Sequence, residues 1–209
     1  MSSGRSTSPP RGRPRESERA ARRDALLETA LRIFLDNGYA GTSIELVAAE
    51  ARVAKRTIYS TVGDKADLFV AVVRRLGDRV VEAVTESPGD LTAFCVPLVR
   101  LMLSDEAIGL HRLVISEAAN FPDLAERLYT NGPHRYIDVL RELLADVPGD
   151  RLRIPPGDGA LDTAAEQIFT LLLGERQRRR LFCLAPAPTE AEIDVDVTRT
   201  LALFVRPAG

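Results

Sequence analysis

Three consecutive side chains, Lys55-Arg56-Thr57, have the chemistry needed to read base-pair edges. Lysine and arginine donate to guanine O6 and N7, and a threonine methyl can pack on the thymine methyl. Tyr59, Ser60 and Thr61 follow with hydroxyls suited to phosphate oxygens, which fix register but carry no sequence information. Such a reader must be a short exposed helix held at a fixed angle. The spacing predicts a helix over residues 54–62, with Ile58 turned inward and Lys55, Arg56 and Thr57 turned out. Other chemistries lack their residues. His111 and His134 have no Asp or Cys at triad or metal spacing, and no glycine-rich phosphate loop is present. No catalytic residue, cofactor or metal site is therefore expected.

The elements that must position this helix are legible around it. Residues 15–87 contain no proline, which leaves room for unbroken helices. Leu27, Ala30, Leu31, Phe34 and Leu35 mark one face of a first helix over about 17–36, with Asn37-Gly38 as its stop. Thr42-Ser43-Ile44-Glu45 has the form of a capping box for a short second helix ending near Glu50. Three residues, Ala51-Arg52-Val53, join it to the 54–62 helix, which is helix-turn-helix spacing. On spacing alone an αα-hairpin with a solvated basic face fits equally well. Asp64 is the predicted N-cap of a fourth helix reaching about Thr85, with the stripe Leu68, Val72, Leu76.

Further helices are predicted at about 90–104, 105–119, 122–147, 160–184 and 189–205. Pro97 should kink the first, Gly132-Pro133 should break the third, and Thr189 to Glu192 forms another capping box. No strand signal persists, so the fold class is all-α.

Composition agrees with a globular chain, 45% apolar and 28% charged. No apolar run approaches the ~18 residues of a membrane span, so no membrane association is expected. The start, Met1-Ser2-Ser3-Gly4-Arg5, shows no apolar leader core, and a cytoplasmic location is expected. Cys95 and Cys183, far apart, suit free thiols in a reducing compartment. The net charge of −2 conceals an asymmetry: residues 1–62 carry 11 Lys/Arg against 7 Asp/Glu, and residues 63–209 carry 17 against 23. A basic front on an acidic body suits a module facing a polyanion. Residues 1–16, rich in proline and arginine, read as a flexible basic arm. Within it Pro10-Arg11-Gly12-Arg13-Pro14 has the form of an AT-hook core, and Arg11 and Arg13 are its minor-groove candidates. A solubilising tail is the alternative.

Several of these features recur together. Phe34 is followed by Asn37-Gly38-Tyr39, Gly41-Thr42-Ser43 and Val47-Ala48, then Val53 through Tyr59, Asp64-Lys65 and Leu68. In this combination residues 26–76 resemble the DNA-binding domain of the tetracycline-repressor (TetR) family. The resemblance implies a helix-turn-helix domain over 17–63 and a helical ligand-binding and dimerisation body over 64–209. It also implies a homodimer that binds a palindromic operator in double-stranded DNA, acts most often as a repressor, and is released by a small effector. By position it assigns base contacts to Lys55, Arg56 and Thr57, and phosphate contacts to Thr42, Tyr59, Thr61 and Lys65. Three residues depart from the family pattern. Arg52 stands where glycine is common, and a positive φ there would cost about 1 kcal/mol. Ala54 replaces a serine cap, and Val62 replaces a phenylalanine.

Downstream, Arg112 through Ala118, Phe121-Pro122-Asp123-Leu124, Ala164 through Gln167, Leu173-Gly174-Glu175 and Arg178-Arg179-Arg180 resemble the AefR-like branch of the family. That branch shares no single ligand. For a mostly apolar effector the pocket candidates are Phe94, Met102, His111, Phe121, Tyr136 and Phe169. The dimer is expected to form through the last two helices, with Ile168, Leu172, Leu201 and Phe204 at the interface. The Arg176, Arg178, Arg179, Arg180 cluster fits the negative end of its helix better than a second DNA site. A DNA-binding regulator or architectural protein without a ligand is the alternative; a solid body would mark it, and a roomy apolar pocket would exclude it.

Overall fold

The computed structural model describes residues 16–86 and 90–206. Among them ten helices follow one another: α1 (Glu16–Gly41), α2 (Ile44–Glu50), α3 (Lys55–Thr61), α4 (Lys65–Glu86) and α5 (Leu91–Met102). α6 (Asp105–Glu117), α7 (Pro122–Asn131), α8 (Pro133–Ala145), α9 (Ala160–Leu181) and α10 (Glu190–Phe204) complete the chain. The fold is all-α, with one isolated β-bridge between Leu152 and Val205 among the described residues.

Most helix boundaries follow local signals. Asp90 caps α5 by accepting from the Thr92 and Ala93 amides, and Ser104 caps α6 by accepting from Ala107. Thr189 and Glu192 form the predicted capping box of α10. Gly132 separates α7 from α8, and Pro133, without an N–H, opens the latter. Pro97, expected to kink its helix, lies inside a continuous α5. Two other helices carry non-helical dihedrals at glycines. α1 continues past its predicted stop by bending at Gly38 (φ 74°, ψ 172°), and α9 bends at Gly174 (φ 36°).

Two cores divide the molecule. In the first, Phe34, Tyr39 and Phe69 pack with centroids 5.5–5.9 Å apart, and Phe121 adds an edge contact to Tyr39 at 5.1 Å. Around them lie Leu27, Val47 and Ile58 from the first three helices, and Leu110, Leu113, Val114, Leu124 and Leu128 from α6 and α7. The second core is mainly aliphatic and gathers α5, α8, α9 and α10 around Leu98, Leu140, Ile168 and Val197. α4 belongs to both, giving Leu68, Phe69, Val72 and Val73 to the first and Val80 to the second. Each large apolar side chain buried this way stabilises the fold by about 1.5–3 kcal/mol. The first three helices thus share a core with α6 and α7.

Candidate nucleic-acid interface

The surface around α3 is built from the α1–α2 corner upward. At the Gly38 bend the end of α1 leaves carbonyls without helical partners. Thr42 takes one: its hydroxyl donates to Gly38 O at 2.7 Å, and the residue is 2% exposed. Thr42 was expected to cap α2, but its hydroxyl is committed to this bend. Ser43 caps α2 instead, accepting from the Leu46 amide at 3.1 Å. The Lys65 ammonium donates to Tyr39 O at 2.9 Å and Thr42 O at 3.0 Å, and stands 4.3 Å from the Tyr39 ring centroid. The first turn of α4 is thereby stapled to the same corner. Burial is the main reason the Tyr39 phenol pKa rises, with the Asp64 carboxylate adding to it.

The turn into α3 carries the predicted strain. Arg52 has φ 55°, the left-handed conformation for which glycine is favoured. Ala54 occupies the N-cap with no side-chain bond, as a methyl must. Ile58 anchors α3, fully buried in the first core, and half-buried Val62 packs against the same cluster. The rest of the helix faces out. Lys55, Arg56, Thr57, Tyr59, Ser60 and Thr61 are all exposed on it. The Lys55 ammonium bonds Glu45 Oε1 at 2.5 Å, which holds that carboxyl below its usual pKa. The spacing of Glu45 and Lys55 matches no single-helix period, so the sequence gives no sign of this pair. No bond engages the Arg56 or Thr57 side chain among the described residues. Arg11 and Arg13 lie outside the described residues.

A short helix with one buried residue, an exposed Lys-Arg-Thr face and a three-residue turn to a capped partner helix is the form of a DNA reader. The family comparisons bear on the whole chain. Residues 26–72 match the family model described as bacterial regulatory proteins, tetR family. Residues 89–207 match that of the AefR-like transcriptional repressor C-terminal domain. The chain belongs to the TetR family. Its two matches place a tetR-family regulatory domain ahead of an AefR-like C-terminal domain. The HTH-type transcriptional regulator Rv1556 of Mycobacterium tuberculosis is 31% identical over 144 residues, covering 67% of this chain and 64% of that relative. The HTH-type transcriptional repressor SCO4008 of Streptomyces coelicolor is 35% identical over 66 residues, 32% of this chain and 34% of that one. A solved TetR-family regulator from Mesorhizobium loti superposes with TM-score 0.67 at 25% identity, covering 90% of this chain and 98% of its own.

In this TetR-family chain three of the six pocket candidates converge and three lie apart. Met102, His111 and Tyr136 line one void together with Val73, Leu76, Leu101 and Leu110. The space inside is ≈ 30 Å³, about that of one water. His111 Nδ1 lies 2.8 Å from Ala107 O one turn back, and burial pushes the Tyr136 phenol up to about 12. Phe94 lies in the second core, Phe121 packs on Tyr39, and Phe169 is half-buried against the second core.

Three of the four dimer candidates are placed inside the chain's own core. Ile168 (0% exposed), Leu172 (2%) and Leu201 (8%) are buried in the second core of their own chain, and half-buried Phe204 packs on it. A helical stripe marks the face that seeks apolar contact, and here that contact is internal. The apolar side chains left exposed on α9, α10 and their connection are Leu171, Phe182, Leu184, Val195 and Leu203. Arg176 pairs with Asp196 and Glu192, Arg178 with Glu175, and buried Arg180 with Asp105. These pairs use up much of the arginine cluster.

Proposed function

We propose that the chain is a two-fold, operator-specific repressor. Lys55, Arg56 and Thr57 of α3 read bases in the major groove, and Tyr59, Thr61 and the remaining Lys65 donor contact phosphates. The observation that carries this is α3 itself: its only buried side chain is Ile58, and its exposed residues are those with base and phosphate chemistry. Thr42, buried and bonded to Gly38 O, contributes through the corner it stabilises. One such helix spans only a few bases, so genomic specificity calls for two half-sites and two copies. The exposed Leu171, Phe182, Leu184 and Leu203 supply apolar surface for pairing through α9 and α10. The repressor sense rests on the AefR-like match. The domain plan is a basic arm over 1–16, a reader over 17–63 and a body over 64–209. Selection of bound duplexes from a random pool tests the proposal. An inverted repeat is expected; enrichment of a single undivided motif, or none, overturns it.

Release by a small, mostly apolar effector extends the proposal to the void between α4, α5, α6, α7 and α8. A ligand site of ordinary size needs roughly 300 Å³ or more, so binding would have to part these helices. The size of the void favours a second reading, an effector-independent regulator whose body only dimerises. Compounds that displace labelled operator separate the two. An effector must bind operator-bound protein more weakly by the factor with which it weakens DNA binding, typically ~5–150-fold. Equal affinity for free and operator-bound protein excludes release.

A further inference from the structure

One carboxylate adds a directed hydrogen bond to the apolar link between the reader and α6. Glu117, the last residue of α6, accepts the Ala40 amide proton at 3.1 Å. Among the described residues this is the single hydrogen bond joining α1–α3 to any helix after α4. Its site on α1 is shaped for it. The φ of 74° at Gly38 favours glycine, and a Cβ there would lie 2.9 Å from Glu117 Oε1, so a side chain would force the carboxylate to shift. Five residues earlier on α6, the Arg112 guanidinium donates to Leu181 O at 2.9 Å and to Arg180 O, capping the end of α9. The last turns of α6 therefore tie the α1–α2 corner to the end of α9, where exposed Phe182 and Leu184 follow.

We infer that Glu117 is a positioning residue that fixes the reader on the body and thereby sets the operator spacer length the dimer accepts. This rests on the two-fold reading above. Apolar contacts to α6 and α7 tolerate small rotations, whereas a hydrogen bond weakens steeply with angle and so selects one orientation. A base pair added between half-sites moves and rotates one of them against the other, by about a tenth of a helical turn. A rigid dimer then engages one half-site only.

The test compares the selected operator with versions whose spacer is one base pair longer or shorter, using full-length wild type, Glu117→Ala and Glu117→Gln. Wild type is expected to lose about 100-fold or more on the altered spacers, the scale of a forfeited second contact. Glu117→Ala is expected to shrink that penalty by about fivefold or more, the lower end of coupling between sites. Glu117→Gln keeps the acceptor oxygen and should keep the wild-type penalty, so a variant pair of equal thermal stability isolates the bond. An unchanged penalty in Glu117→Ala overturns the inference and leaves the dimer standing. Wild type that accepts every spacer equally overturns the two-fold reading, and this inference with it.

Discussion

The two cores meet along α4 but do different work. The first is an aromatic cluster that fixes α1 and two short helices whose outer faces are spent on polar side chains. Phe34, Tyr39, Phe69 and Phe121 do this with edge and stacked contacts, and α3 is attached by Ile58. The second core is mainly aliphatic, with a ≈ 30 Å³ void at its border with the first. A reader needs orientation, which packed rings set coarsely and directed hydrogen bonds sharpen. A body that encloses its long helices needs volume filled, and leucine, isoleucine and valine provide that. The changeover lies at Gly77, where the Tyr136 phenol of α8 abuts α4.

Deleting the centre of the aromatic core should have the largest effect. Phe34→Ala is expected to cost about 3–5 kcal/mol and to abolish operator binding. Leu140→Ala in the second core should cost about 2–5 kcal/mol while the folded fraction still binds DNA. Urea denaturation paired with operator titration checks both, and equal loss of binding per unit of stability would erase the distinction between the cores.

Alkaline pH should act on the second core next. Its Tyr136 phenol ionises near 12 when folded, against about 10 when unfolded, because burial disfavours the phenolate. A raised acid keeps its stabilising effect below the unfolded value and loses it as pH rises through the folded one. Between pH 10 and 12 that loss amounts to about 2–3 kcal/mol. Thermal midpoints from pH 8 to 12 should show a shallower decline in Tyr136→Phe than in wild type; identical slopes would assign the decline elsewhere.

Gly77→Ala probes the changeover itself. The new methyl would meet the Tyr136 hydroxyl and lie 2.9 Å from its Cζ, an overpacking expected to cost about 1–3 kcal/mol. Combining it with Tyr136→Phe should recover part of that loss, because the hydroxyl is the closer obstacle. Additive losses in the double variant would show that the two residues do not share the contact. The smallest effect belongs to the turn. Ala54→Ser should stabilise the reader by about 1 kcal/mol by supplying the missing cap, seen as a higher denaturation midpoint.

What the sequence makes legible follows the same division. The reader's signals are local: a three-residue turn, an inward Ile58, a polar run, and an Arg52 whose positive φ follows from the turn it occupies. Ser43 displaced Thr42 as cap only because the Gly38 bend claimed the Thr42 hydroxyl, a contact that depends on how α1 ends. In the body, periodicity finds helices but cannot say what their stripes touch. Ile168, Leu172 and Leu201 carry the spacing of an interface and are used within their own chain. Lys55 with Glu45, Lys65 with two carbonyls, and Glu117 with Ala40 join residues at separations that carry no periodic signal.

If the exposed end of α3 reads bases, loss of the Arg56 guanidinium must change which bases are preferred. Affinities of wild type and Arg56→Ala should be measured across every single-base variant of the selected operator at one salt concentration. A loss of about 1–3 kcal/mol on the operator is expected, with preference relaxed at one symmetry-related pair of positions and retained elsewhere. Uniform weakening across all variants, with every preference intact, would make Arg56 a phosphate contact and contradict the assignment.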